Sequence, residues 1–163
     1  MAKAREIPGL EERISFREAA ARAVETRASE VWEHSEGVLD TGDIERVHAM
    51  RVATRRLRAA LEVFEACFPR KKHKRALKDV KALADTLGQR RDPDVHIAEL
   101  RRIASALTRE DGAGIRSLER ELGDEQGAGN AALAERLRQV EETDLRGRLA
   151  ALAAAARADG SAA

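Results

Sequence analysis

Val47, Met50, Ala53, Leu57, Ala60, Leu61 and Phe64 recur mostly three or four residues apart. That spacing collects on one side of an α-helix and on neither face of a strand. Leu77, Val80, Leu83, Ala84 and Leu87 repeat it one segment later. The rhythm holds almost throughout, without a convincing alternating run, so the chain is constrained to an all-α fold. Ala and Leu dominate the 43% of hydrophobic residues while aromatics make up only 2%. Such a composition favours helix and lets helices approach closely.

Punctuation divides the chain into about six helices. The first is expected from about Leu10 to Gly37, followed by the turn "LDTGD" with Asp43 as N-cap of the second. The second runs to about Cys67, and "FPRKK" breaks the chain at Pro69. The third spans Lys71 to Leu87. In "GQRRDPDV", Gly88 suits a C-cap, Asp92 an N-cap and Pro93 the first position of a fourth helix reaching about Leu107. "DGAG" near Asp111 marks another break, a fifth helix ends near Gly123, "GDEQGAGN" reads as a connection, and a sixth helix begins at about Ala131. The expected architecture is a single domain over 1–163, a helical bundle with short loops.

Net charge is +1, but the charges are unevenly spread. From Ile44 to Arg91 there are 14 Lys and Arg against 5 Asp and Glu, so a basic centre lies between acidic flanks. That asymmetry points to a polyanionic partner. At about 100° per residue, His48, Arg51, Arg55 and Arg58 fall within an arc of roughly 80°, opposite the apolar side of the second helix. Lys71, Lys74, Lys78 and Lys81 share one face of the third. Consecutive helices joined by a short loop lie antiparallel, so the two stripes are expected to border one groove. An ordinary solvated face pairs its charges at i, i+4. Glu45, Glu62, Asp79 and Asp85 are too few to do so here. Uncompensated like charges repel, and a bound anion offsets that cost.

The same residues carry a family resemblance. "VHAMRVATRRLRAALEVF" followed by "LKDVKALADTLGQRRDPDVHIAEL" closely resembles the CHAD domain, the conserved-histidine α-helical domain. The shared pattern is His48, Arg51, Arg55, Arg56 and Arg58 on one helix, then Leu87, Gly88, Arg91, Asp92, Asp94 and Val95. It is strongest from Ile44 to Leu100. The resemblance implies a helical module that binds inorganic polyphosphate without catalysis and without a cofactor. Its site would be lined by His48, Arg51, Arg55, Arg56, Arg58, Lys71, Lys74, Lys78, Lys81, Arg90 and Arg91. Two departures stand out. Pro93 replaces a larger apolar residue, and no second basic motif follows Leu100, so the chain resembles one half of the family's usual pair of similar halves. A two-fold homodimer would supply the other half by symmetry.

Competing readings are a nucleic-acid-binding or phosphate-ester-binding module, a phosphoryl-transfer enzyme and a purely structural bundle. Nucleic acid would engage the same cations through its backbone, but with no Tyr, three Phe and one Trp, stacking partners are scarce. A phosphate-binding Gly-rich loop and a clustered acidic metal site are both missing. His48 lacks a nucleophile or carboxylate at a convincing spacing and suits a hydrogen bond to phosphate better than general-base work. His34, His73 and His96 form no sequence cluster and are expected at surface or packing positions, with no metal site. Asp92 is expected to cap a helix, Asp94 to orient Arg90 or Arg91, and Trp32 and Phe64 to be core. The lone Cys67 excludes an internal disulfide. Without an apolar leader or a bilayer-spanning stretch, the expected location is cytoplasmic, with polyphosphate granules as an extension of the ligand reading.

Overall fold

A computed structural model describes residues 4–106 and 112–160. Among them are five helices and no strand: α1 (Phe16–Glu33), α2 (Ile44–Val63), α3 (Arg70–Ala104), α4 (Gly112–Glu142) and α5 (Leu145–Gly160), with a single 3₁₀ turn at Glu65–Cys67 between α2 and α3. α1 packs against α2 and α5, α2 against α3, and α3 against α4. Their common core contains Val24 and Val31 of α1, Met50, Leu57 and Leu61 of α2, Val80 and Leu87 of α3, Leu133 of α4, and Leu149 and Leu152 of α5. α1 also buries Ala20, Ala21 and Ala28, and α5 buries Ala153 and Ala156. Trp32 and Phe64 are partly buried against this core.

Caps explain the boundaries of the first two helices. The Ser15 hydroxyl accepts from the Glu18 amide at 3.1 Å, which starts α1 later than Leu10. Residues before it fold back along α1, where the Arg22 guanidinium donates to the carbonyls of Pro8 and Gly9. Asp43 caps α2 as expected, its Oδ1 accepting from the Glu45 amide at 3.2 Å.

Three expected boundaries are corrected. The third and fourth helices are one, α3, with Pro93 inside it and buried; Asp92 is exposed mid-helix and caps nothing. A proline removes the hydrogen bond to the carbonyl four residues back and crowds it, here that of Gln89. α4 covers this point. A Cβ added at Gly129 would lie 3.2 Å from Arg90 Cα and 3.6 Å from the Gln89 oxygen. The glycines of "GDEQGAGN" are therefore interior to α4, and Gly129 is there because two backbones meet. The actual break comes later, at Asp144, whose φ of 47° ends α4 and whose Oδ1 accepts from the Gly147 amide at 3.0 Å. The break near Asp111 and the end at Leu107 lie outside the described residues.

This crossing gives a test. Gly127 has open space around its missing Cβ, so Gly127→Ala is expected to gain about 0.5–1 kcal/mol of helix propensity. Gly129→Ala is expected to lose that gain to the clash and to fall below Gly127→Ala by about 1 kcal/mol or more. Urea denaturation of the two variants compares them directly; equal stabilities would mean that the crossing is loose.

At about 1.5 Å per residue, the 35 residues of α3 extend about 50 Å, well past the 20 residues of α2. The far parts of α3 and α4 pack on each other through buried Ile97 and Leu122 and an Arg101–Glu119 ion pair at 3.1 Å. The near part of α3 is what lies beside α2. Electrostatic clamps fasten the other end of the bundle. Arg157 of α5 donates to both Glu18 and Glu25 of α1, and Arg148 donates to Asp79 of α3 at 2.6 Å.

Candidate functional site: the basic face of α2 and α3

Two cross-helix contacts fix the antiparallel register. At one end the Arg91 guanidinium donates to the Ile44 carbonyl at 3.4 Å. At the other, His73 Nε2 lies 2.8 Å from the Leu61 carbonyl. Between them Arg58 Nε and Lys81 Nζ approach one oxygen, Glu62 Oε1, at 3.0 and 3.2 Å. Arg58 of the α2 stripe and Lys81 of the α3 stripe thus meet at Glu62.

The face is exposed because the opposite sides of both helices are committed to the core. Val47, Met50, Ala53, Leu57 and Leu61 of α2 and Ala76, Val80, Leu83 and Leu87 of α3 are buried. Arg55, Lys71, Lys74 and Lys78 are exposed, and His48, Arg51, Arg58 and Lys81 are half-buried. Among the described residues, Arg51, Arg55, Lys71, Lys74 and Lys78 form no ion pair. Asp79 lies within the Lys-bearing stretch but is engaged by Arg148 of α5. Glu62 is drawn below the usual carboxylate range by hydrogen bonds from Arg58 and then Lys81, so it remains charged at neutral pH.

Three of the expected ligand-binding residues are placed differently. Arg90 is 0% exposed and lies in the core, so it does not line the face. It donates to the Asp94 carboxylate one turn on and, through Nε, to Asn130 Oδ1 of α4 at 3.1 Å. Asp94 also accepts from Gln126 at 2.6 Å, and Asn130 continues the chain of contacts to the Leu39 carbonyl at 3.0 Å. Asp94 does orient Arg90, but inward. Arg56 turns toward α1. Burial raises the carboxyl of Glu30; Arg27, the Arg5 amide and the charge of Arg56 outweigh it and hold the group below its ordinary range. Arg91 is largely covered and braces the start of α2 through Ile44 and Glu45.

His73 is a packing residue, 1% exposed and stacked on Phe68 at 5.7 Å. Burial raises the Cys67 thiol above its usual range, which makes it a poor nucleophile. No group of three or more His, Cys, Asp or Glu able to hold a metal is found among the described residues, and no helix among them is long and apolar enough to cross a membrane. A cavity of about 330 Å³ lies elsewhere, lined by Trp32, Met50, Leu83 and Leu137 together with Glu141, Asp144 and Arg146. Arg55, Lys71, Lys74 and Lys78 stand open to solvent instead.

Sequence reasoning found the stripes but not the role of Glu62, which it counted only as dilution. The signal was present as the i, i+4 pair Arg58–Glu62; its second partner, Lys81, is non-local. A family model described as the CHAD domain matches residues 22–163. No curated protein and no solved structure gives a significant match.

Proposed function

The chain belongs to the CHAD domain family, and from that premise we propose that the face shared by α2 and α3 binds inorganic polyphosphate without turning it over. The observation that carries the reading is the convergence of Arg58 and Lys81 from two helices on one carboxylate oxygen, amid five further cations without ion pairs among the described residues. An oxygen anion is already held where the two stripes meet. Arg presents fork-shaped donors to phosphate oxygens, and Lys adds mobile point charges. A flexible chain of phosphates can follow the face, each unit making a modest contact, and the contacts accumulate.

Binding is expected to weaken steeply as salt rises, because each neutralised phosphate releases counterions. With about five such contacts, affinity should fall by more than tenfold between 50 and 200 mM salt. Titration with long-chain polyphosphate across that range tests it. A salt-independent affinity, or no binding at low salt, removes the reading. Duplex DNA run in the same titration separates the nucleic-acid alternative, which requires DNA to compete at matched salt.

A further inference from the structure

We propose that Glu62 is a built-in competitor for the polyphosphate site, an internal anion that a ligand must displace before it can use Arg58 and Lys81. The inference rests on the polyphosphate reading and adds to it a residue that sets ligand selectivity. Glu62 lies on the exposed side of α2, and its single oxygen Oε1 receives Arg58 from its own helix and Lys81 from the next. All three side chains are about two-fifths exposed, at 41% for Arg58, 42% for Glu62 and 41% for Lys81. The contact is therefore reachable from solvent.

Two physical consequences follow. An exposed ion pair contributes little net stability, so the fold does not require this one, and a stronger anion can replace the carboxylate. Without ligand, however, Glu62 screens two cations that would otherwise repel each other and their neighbours Arg55 and Lys78. The carboxylate offers one charge at a fixed place; a phosphate chain offers many, linked together. A short phosphate gains few other contacts to offset the displacement, and the displaced carboxylate then stands beside a polyanion and repels it. A long chain can avoid that cost by taking registers along Arg51, Arg55, Lys71, Lys74 and Lys78 that leave Glu62 in place. Glu62 thus disfavours small phosphates more than long ones.

The test compares wild-type protein with Glu62→Gln and Glu65→Gln, using tripolyphosphate and a long-chain polyphosphate by calorimetric titration near neutral pH. Glu65 is an exposed neighbour in the 3₁₀ turn, without an ion pair among the described residues, and it controls for the loss of one negative charge. Glu62→Gln is expected to bind tripolyphosphate about three- to tenfold more tightly than wild type. It should gain less for the long chain and show a steeper salt dependence. Glu65→Gln should change either affinity less than twofold. If Glu62→Gln matches wild type while wild type binds, Glu62 is no competitor and the polyphosphate reading stands. Equal gains in both variants would reduce the effect to net charge and overturn the positional claim. If none of the three proteins binds long-chain polyphosphate, the reading beneath it fails as well.

Discussion

Asp94→Ala is expected to destabilise the fold by about 3–5 kcal/mol, the largest single effect of any side chain discussed. Arg90 and Asp94 are 0% and 1% exposed, so removing the carboxylate strands a guanidinium in the core. The loss compares with a total folding stability of about 5–15 kcal/mol for a domain. It also releases Gln126, whose side-chain amide donates to the same carboxylate oxygen, and so loosens α4 from α3. Arg90 Nη2 and Asp94 Oδ2 have no hydrogen-bond partner within the described residues, and a buried ion pair's mutual attraction often fails to repay its desolvation. Replacing both members with apolar residues, Arg90→Met with Asp94→Leu, should therefore be much less harmful than Asp94→Ala alone. Urea denaturation measures both. A loss below about 1 kcal/mol for Asp94→Ala would mean that water reaches Arg90, contrary to its burial.

That ion pair also shows where the sequence stops being legible. α2 and its Asp43 cap could be read directly, because a helical apolar stripe and a capping residue are local signals. "RRDPDV" carried two local messages that both misled. Pro93 reads as a helix start, and Arg90 reads as a surface cation because isolated charges are rarely buried. What overrides them is non-local. Gln126 and Asn130 reach the pair from 32 and 40 residues away, and Gly129 lets α4 come close enough to cover the carbonyl that Pro93 leaves without a donor. Of the glycines read as a loop from composition, Gly129 sits in the helix where a packed backbone demands it, while Gly127 has open space. The α4–α5 break failed in the opposite direction: Asp144 adopts a left-handed conformation that no glycine announces. The stripes on α2 and α3 were visible because each is local to one helix; that they meet at Glu62 required the pairing of the two.

Arg51→Glu combined with Arg55→Glu is expected to lower affinity for long-chain polyphosphate by about two orders of magnitude at low salt, since each reversal both removes a phosphate contact and adds a repulsion. Neither arginine forms an ion pair among the described residues, and Glu is nearly as good a helix former as Arg. Helix content by circular dichroism should therefore hold while binding falls. Lys74→Glu with Lys78→Glu should act in the same direction from α3, where both side chains are exposed. The two pairs sit on different helices of one face, so a single ligand lying across both makes their losses in log affinity roughly additive. A ligand confined to one helix would leave one of the double variants at wild-type affinity. If Arg51→Glu with Arg55→Glu binds as wild type does, the α2 side of the face carries no ligand and the site must be sought elsewhere. A parallel loss of helix content would instead show that these arginines support the fold, contrary to the exposure of Arg55 and to the lack of ion pairs for both among the described residues.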